Sequence, residues 1–261
     1  MNKQTFLTLL ATFALLFSFT FSCHAKGKDK AKHVVFIGLD GWGAYSLPKA
    51  DMPNVKKLME DGAYTLKKRS ALPSSSAINW ASMFMGAGPE LHGYTEWGSK
   101  TPELPSRVLN KNGIFPTVFQ LLRDARPEAE IGCLYEWEGI KYLVDTLSLN
   151  YHYHVADCNK TPKELGNMSS SYIKEKHPAL VAICFDGPDH TGHTEGHDTP
   201  AYYEKLKELD SYVGQIVQAV KDAGMLDDTI FILTSDHGGI DKGHGGKTMQ
   251  EMETAFIISG K

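Results

Sequence analysis

The hydrophobic residues of this chain fall into short runs typical of buried β-strands, separated by stretches with helical periodicity. The clearest runs are His33–Leu39, Ala179–Phe185 and Thr229–Thr234, and Ile131–Tyr135 follows the same pattern. Between them, Tyr202–Ala223 places apolar residues along one face of a long helix. Because strands that alternate with helices build parallel sheets, we predict an α/β fold. It is a doubly wound, mostly parallel sheet with helices on both faces.

Two shorter helices and one further strand complete the predicted elements. Each helix starts near a proline, Pro53 or Pro116, that precedes apolar residues at helical spacing. The last residues, 253–261, form a strand-like apolar run. A doubly wound domain usually covers its last strand, so we expect the chain to be truncated at its C-terminus.

Acidic residues and histidines follow the predicted strands closely. Since the carboxyl ends of parallel strands share one edge of an open sheet, groups placed there converge on one crevice. Carboxylate and imidazole ligands in mixed sets suit zinc or a similar ion. The sequence therefore predicts a centre for two divalent metal ions, most simply Zn²⁺. Its candidate ligands are Asp40, Asp189, His193, Asp236, His237 and His244.

A candidate nucleophile lies in the serine-rich turn Pro73–Ser76, which leads into a predicted helix. A hydroxyl at a helix N-terminus lies among unpaired backbone N–H groups, which is a favourable place for a phosphate. Metal coordination would make ionisation of such a hydroxyl feasible at neutral pH. The simpler alternative is that these serines only cap the helix.

Composition and the N-terminus restrict where the protein acts. The 261 residues carry a formal charge of −4 with a pI near 6.3, so no nucleic-acid-binding surface is evident. Residues 1–25 combine a basic start, an apolar stretch and a small-residue cleavage site, which predicts a signal peptide. We expect an exported protein, periplasmic or secreted, with no transmembrane segment after cleavage. A lipid anchor on Cys23 is the alternative. Residues 26–32 are predicted to be a linker before a domain at 33–261.

Several separated motifs resemble the alkaline phosphatase superfamily, and most closely its type I phosphodiesterase/nucleotide pyrophosphatase branch. The motifs are Ile37–Gly41, Met52–Asn54, Pro73–Ser76 with Asn79, Gly86–Gly93, Pro188–His193 and Ser235–Gly238. The resemblance implies an alkaline-phosphatase-like catalytic domain at 33–261. It also implies a two-zinc hydrolase of phosphate esters, a phosphodiesterase or phosphomonoesterase that acts on a small molecule. In that family the nucleophile lies three residues after the motif proline, and this position is Ser76.

The resemblance also divides the metal ligands into two sets. Asp40, Asp236, His237 and the Ser76 hydroxyl would hold one ion, and Asp189, His193 and a further histidine would hold the other. We assign that last place to His244; the alternative is that residues 243–245 form a flexible substrate loop.

Two departures from the family pattern leave other functions open. Nucleotide pyrophosphatases place an Asn shortly after the His-Gly pair, but His92–Gly98 contains none, so Trp97 or Tyr94 is expected to shape a different pocket. A sulfatase shares the fold, although Ser74–Asn79 lacks the Pro and Arg of the sulfatase signature. The remaining alternative is a truncated or inactive exported protein that only binds metal. His190 and His197, which flank the Asp189 motif, are assigned no role.

Overall fold

A computed structural model describes residues 31–156 and 162–261 of the chain, which belong to one compact unit. Within these residues, seven strands form a single sheet in the order β2-β7-β6-β1-β5-β3-β4. Their bounds are β1 His33–Leu39, β2 Gly62–Arg69, β3 Ile131–Tyr135, β4 Tyr151–His154, β5 Leu180–Phe185, β6 Thr229–Thr234 and β7 Glu253–Gly260.

The sheet is mixed, with a parallel centre and an antiparallel edge. β1 pairs in parallel with both β5 and β6, and β3 pairs in parallel with β5 and β4. β7 instead runs antiparallel to both β6 and β2. The predicted parallel sheet is confirmed for its centre, and the strand ends that carry the candidate ligands therefore lie along one edge.

Eight α-helices connect these strands within the described residues. They are α1 Pro53–Glu60, α2 Ser76–Met85, α3 Pro89–His92, α4 Val118–Ala125, α5 Pro162–Lys176, α6 Gly187–Glu195, α7 Pro200–Asp222 and α8 Met249–Met252. The helix predicted near Pro116 begins two residues later, because Thr117 accepts a hydrogen bond from Gln120 N and caps it. No helix in 31–156 or 162–261 is long and apolar enough to cross a membrane.

Helices cover both faces of the sheet, as predicted. On one face, α1, α5 and α7 pack against alternate residues of the central strands, such as Val35 and Ile37 of β1. On the other face, α2 and α4 pack against the intervening residues, such as Cys133 of β3 and Ala182 of β5. Because successive side chains of a strand point to opposite faces, one apolar run supplies both layers.

The N-terminal predictions lie almost entirely outside the described residues. The predicted signal peptide at 1–25, with Cys23, lies outside the described residues, as do positions 26–30 of the predicted linker. Lys32, at the end of that linker, pairs with Asp228 at 2.7 Å next to the start of β6.

Candidate metal centre

The three central strands end at the candidate metal ligands. Asp40 follows β1, and Asp236 and His237 follow β6, its neighbour on one side. β5, the neighbour on the other side, leads into α6, which carries Asp189 and His193. The convergence expected from the sequence is therefore present, although Asp189 and His193 lie on a helix.

Two glycines allow the groups to approach this closely. A Cβ on Gly38 would lie 2.2 Å from the Trp80 indole, so only glycine leaves room for that ring. The indole Nε1 donates to Asp40 Oδ2 at 2.8 Å and orients the carboxylate. Gly41 has φ +68°, and a Cβ there would lie 2.8 Å from Asp189.

The first group of side chains surrounds the Nε2 atom of His237. The ligand atoms of Asp40, Asp236 and His237 lie within 4.8 Å of one another. His237 Nε2 is 3.4 Å from Asp40 Oδ1, 3.3 Å from Asp236 Oδ2 and 3.1 Å from Ser76 Oγ. Four side chains from three separate segments thus point at one spot.

The second group consists of Asp189, His193 and His244, again within 4.8 Å of one another. His193 Nε2 lies 3.2 Å from Asp189 Oδ2, and His244 Nε2 lies 3.7 Å from Asp189 Oδ1. The His237 and His244 rings stack with centroids 3.8 Å apart, so the two groups adjoin. Every candidate site residue predicted from the sequence lies in one of these groups.

His244 reaches the centre because its loop is tied to the start of α2. Ser74 Oγ donates to Gly246 O at 2.7 Å, and Gly245 N donates to Ser74 Oγ at 3.2 Å. Ser75, the N-cap of α2, makes no side-chain capping hydrogen bond. These serines are thus not simple helix caps. Ser74 holds the loop of His244 beside Ser76, which is the first residue of α2.

The histidines share one hydrogen-bonding pattern. The Nδ1 atoms of His237, His193 and His244 bond the backbone carbonyls of Gly238, Lys242 and Ser74 at 2.8, 2.9 and 3.0 Å. A carbonyl oxygen only accepts, so each Nδ1 carries a hydrogen. Nε2 is then the atom that faces the carboxylates, and histidines that bind metals in proteins are commonly held in this way.

The carboxylates are buried and incompletely bonded. Asp40 Oδ1, Asp189 Oδ1 and Asp236 Oδ2 have no hydrogen-bond partner among the described residues. Buried polar atoms are rarely left in that state, and a bound ion is one of the few explanations. Carboxylate oxygens and imidazole nitrogens are donors that zinc commonly takes in proteins. The residues present fit a pair of divalent ions.

The electrostatics show how crowded the negative charge is. Burial, followed by the Asp236, Asp189 and Asp186 carboxylates, raises the pKa of Asp40 well above its usual range. The Asp189 hydrogen bond raises the pKa of His193 to about 9. Burial would raise the pKa of Asp189, but its bond to His193 and the nearby imidazoles lower it below its usual range. His193 and Asp189 therefore form an ion pair that a metal ion would have to open.

A cavity of about 300 Å³ opens over the centre. It is lined by Ser76, Trp97, Trp137, Asp186, Asp189, His190, His193 and His244. Of the two residues expected to shape a pocket, Trp97 does so. Tyr94 does not, because it is buried and donates to Tyr142 O at 3.1 Å.

Several residues near the centre were not singled out by the sequence patterns. Asp186 lies in a third cluster with Asp40 and Asp189, again within 4.8 Å, and the same strand-end rule could have found it directly after β5. Trp137 lines the cavity without any motif that marks it. His197, which the sequence analysis assigned no role, is buried, and burial lowers its pKa to about 4.

A sequence profile of the type I phosphodiesterase / nucleotide pyrophosphatase family matches residues 34–254. Mouse bis(5'-adenosyl)-triphosphatase enpp4 is 25% identical over 222 residues, which are 80% of this chain and 48% of that protein. The chain thus spans about half the length of this relative.

Solved structures share the fold. Murine ectonucleotide pyrophosphatase/phosphodiesterase 5, in an inactive form with AMP, superposes with a TM-score of 0.61 and 19% identity over 79% of this chain and 57% of that one. A 2-O GAG sulfatase superposes with a TM-score of 0.68 and 13% identity over 89% of this chain and 65% of that one. At these identities the match concerns architecture alone.

Proposed function

Because this chain belongs to the type I phosphodiesterase/nucleotide pyrophosphatase family, we propose that it hydrolyses phosphate esters through a Ser76 phospho-enzyme at a two-zinc centre. The observation that carries the proposal is the position of the Ser76 hydroxyl. Its Oγ lies 3.1 Å from His237 Nε2, inside the first carboxylate and imidazole group, and Ser76 lines the cavity.

The two groups divide the ligands in a simple way. Asp40, Asp236, His237 and Ser76 would hold one ion, and Asp189, His193 and His244 would hold the other. When bound, such ions favour ionisation of a coordinated hydroxyl and neutralise charge that develops on the phosphoryl group. His244 takes its place in the second set because the Ser74 contacts fix its loop there.

The chain's own residues then account for a two-step displacement. The Ser76 hydroxyl releases its proton to solvent, and Oγ attacks phosphorus while the bond between phosphorus and the leaving oxygen breaks. The leaving oxygen takes a proton from solvent and departs as the alcohol. Water next breaks the bond between phosphorus and Ser76 Oγ, which frees the phosphate product and restores the hydroxyl. Ser76 is the first residue of α2, so the helix N-terminus favours the negative phosphoryl group in both steps.

The organic part of the substrate would lie against Trp97 and Trp137. Trp97 O accepts from Ala77 N at 3.1 Å, which holds this loop beside the nucleophile, while its side chain remains 68% exposed. Glu103 accepts hydrogen bonds from Thr95 N and Ser99 Oγ at 2.8 and 2.9 Å and stiffens the same loop. A small phosphate monoester or diester fits such a site. The name of the mouse relative adds bis(5'-adenosyl) triphosphate to the substrates that need testing.

Export is the second part of the proposal. A signal peptide at residues 1–25 would deliver the domain to the periplasm or the medium. N-terminal sequencing of the protein recovered from the producing cell tests it, because a mature chain that retains Met1 contradicts cleavage.

The function is tested by metal analysis together with a substrate panel. We expect two zinc ions per chain and turnover of aryl phosphate monoesters or diesters. Ser76→Ala should hydrolyse neither kind of ester. The panel includes bis(5'-adenosyl) triphosphate and an aryl sulfate. Preferred turnover of the sulfate would favour a sulfatase. Two bound zinc ions with no ester hydrolysed would favour the inactive metal-binding alternative.

A further inference from the structure

A buried carboxylate that belongs to neither ligand group stands at the start of the helix that carries Asp189 and His193. Glu136 follows β3 directly and is only 5% exposed. Its backbone N–H donates to Cys184 O at 3.1 Å, so Glu136 extends the pairing of β3 with β5. Its Oε2 accepts the Asp186 N–H at 2.6 Å, and its carboxylate also accepts from the backbone N–H of Gly187.

These two hydrogen bonds satisfy a need of α6. The first N–H groups of any helix have no partner inside the helix and are usually satisfied by a capping side chain. Asp186, the N-cap of α6, makes no side-chain capping hydrogen bond, and Pro188 has no N–H. Glu136 therefore caps α6 from a different strand. Burial raises the pKa of Glu136 to about 8 despite these two N–H donors, so the cap depends on the acceptor oxygens of Glu136 and does not need a negative charge.

We propose that Glu136 is a positioning residue that sets the place of Asp189 and His193 and thereby the affinity of the second metal site. The inference rests on the proposed two-metal centre. Asp189 lies in the first turn of α6, so a shift of the helix start moves its carboxylate directly. Mutation of residues that support metal ligands from outside the coordination sphere commonly lowers metal affinity by about 10- to 100-fold.

The position of Glu136 is itself fixed. His154 Nε2 donates to Glu136 O at 2.8 Å, which anchors the backbone of Glu136 to β4. The first metal group depends on other contacts, since Asp40 is held by Trp80, and the Asp236 backbone carbonyl accepts from Ser70 Oγ at 2.5 Å. A change at Glu136 should therefore affect one site and leave the other unchanged.

The test measures zinc binding by chelator competition in the metal-free full chain. Glu136→Met fills a similar volume without an acceptor, and Glu136→Gln keeps an acceptor oxygen. We expect Glu136→Met to lower the affinity for one of the two zinc ions by about 10- to 100-fold and for the other by less than twofold. The affinities of Glu136→Gln should lie within a few-fold of wild type. Glu138→Ala is the matched control, since this neighbouring carboxylate is exposed and paired with Lys141, and it should change nothing.

Two further measurements identify the affected site. In a His193→Ala background the second site is already lost, so adding Glu136→Met should leave the remaining affinity unchanged. Hydrogen exchange should show faster opening of α6 in Glu136→Met, with α7 unaffected. If Glu136→Met does not fold, Glu136→Asp, whose carboxylate is one methylene too short, takes its place.

Equal loss at both sites, or wild-type binding in every Glu136 variant, overturns the inference. A wild-type chain that binds no zinc overturns it together with the metal centre. Two zinc ions bound without hydrolysis would instead contradict the proposed function and leave the positioning role standing.

Discussion

Replacing Asp40 by Asn should have opposite effects on the metal-free and the zinc-loaded protein. Asp40 is 3% exposed, and its ligand atom lies within 4.8 Å of those of Asp236, Asp186 and Asp189 in the clusters they share. Two like charges at such a distance repel by about 3.5 kcal/mol at an effective dielectric constant of about 20. The metal-free protein can avoid this repulsion by protonating Asp40, whose pKa is raised well above its usual range.

The sign of the pH dependence follows from that raised pKa. An acid whose pKa is higher in the folded than in the unfolded chain destabilises the fold only above its unfolded pKa, and the penalty grows as the pH rises. Asp40→Asn removes this charge, so it should stabilise the metal-free protein at pH 7 by at most about 3.5 kcal/mol, the size of one such repulsion. Below pH 4 it should have almost no effect, because the carboxyl is then protonated in the unfolded chain as well.

Zinc should reverse the order of stability. A ligand that binds only the folded state at 1,000 times its Kd stabilises it by about 4.1 kcal/mol. The wild-type protein should gain this stabilisation from zinc at the first site. Asp40→Asn should gain less, because it lacks a charged ligand there. Thermal unfolding between pH 4 and pH 8, with EDTA or with zinc, measures both effects.

Asp210→Asn is the matched control. This buried carboxylate accepts from Asn54 N, Asn54 Nδ2 and Val55 N at 3.1, 2.8 and 2.8 Å at the start of α1. An amide there loses an acceptor, so the variant should be destabilised by about 1–3 kcal/mol with or without zinc. If Asp40→Asn is destabilised in EDTA in the same way, the repulsion argument is wrong. If zinc stabilises Asp40→Asn as much as it stabilises the wild-type protein, Asp40 is not a metal ligand.

Three further outcomes are expected. Ser76→Ala should lose ester hydrolysis and still bind two zinc ions, and measurable turnover by the metal-loaded variant would remove Ser76 from the mechanism. The Asp189 bond raises the pKa of His193 to about 9, so zinc binding at the second site should release a proton at pH 7. The zinc affinity of this site should also fall about tenfold for each pH unit below that pKa. Calorimetry in buffers of different ionisation enthalpy counts the released protons, and a count of zero would contradict the ion pair. Trp97→Ala should raise KM for aryl esters and change stability by less than about 0.5 kcal/mol, since the side chain is 68% exposed; Leu147→Ala, 77% exposed and away from the described cavity, is the control, and equal KM values in both variants would remove Trp97 from the substrate site.

The central strands could be predicted because their apolar runs are continuous. β1 and β6 have the bounds that the sequence predicted, and β5 differs by one residue. β2 and β4 could not be found in this way. β2 is mostly exposed and rich in lysine, and β4 is four residues of alternating Tyr and His, so neither carries the apolar run of a buried strand.

The helical place of Asp189 and His193 was not predicted either. Gly187–Glu195 has almost no apolar face, so it lacks the periodicity that marks helices in a sequence. Its helical form depends on tertiary contacts, including the hydrogen bonds that Glu136 accepts at its start. Asp189 and His193 still lie close together, as predicted, because residues four apart lie on one face of a helix.

The sequence by itself determined the layered α/β architecture and the identity of the candidate ligands, since both depend on local patterns of apolar runs and the polar residues that end them. The family resemblance implied how the ligands are grouped. Only the tertiary structure decided between the two roles left open for His244, which lies beside Asp189, and showed that Trp97 lines the cavity while Tyr94 does not. Those facts depend on contacts between segments far apart in the chain, such as Ser74 with the 244–246 loop. The physical reason is that a side chain's partner is set by how elements pack across the sheet, and local periodicity carries no information about that packing.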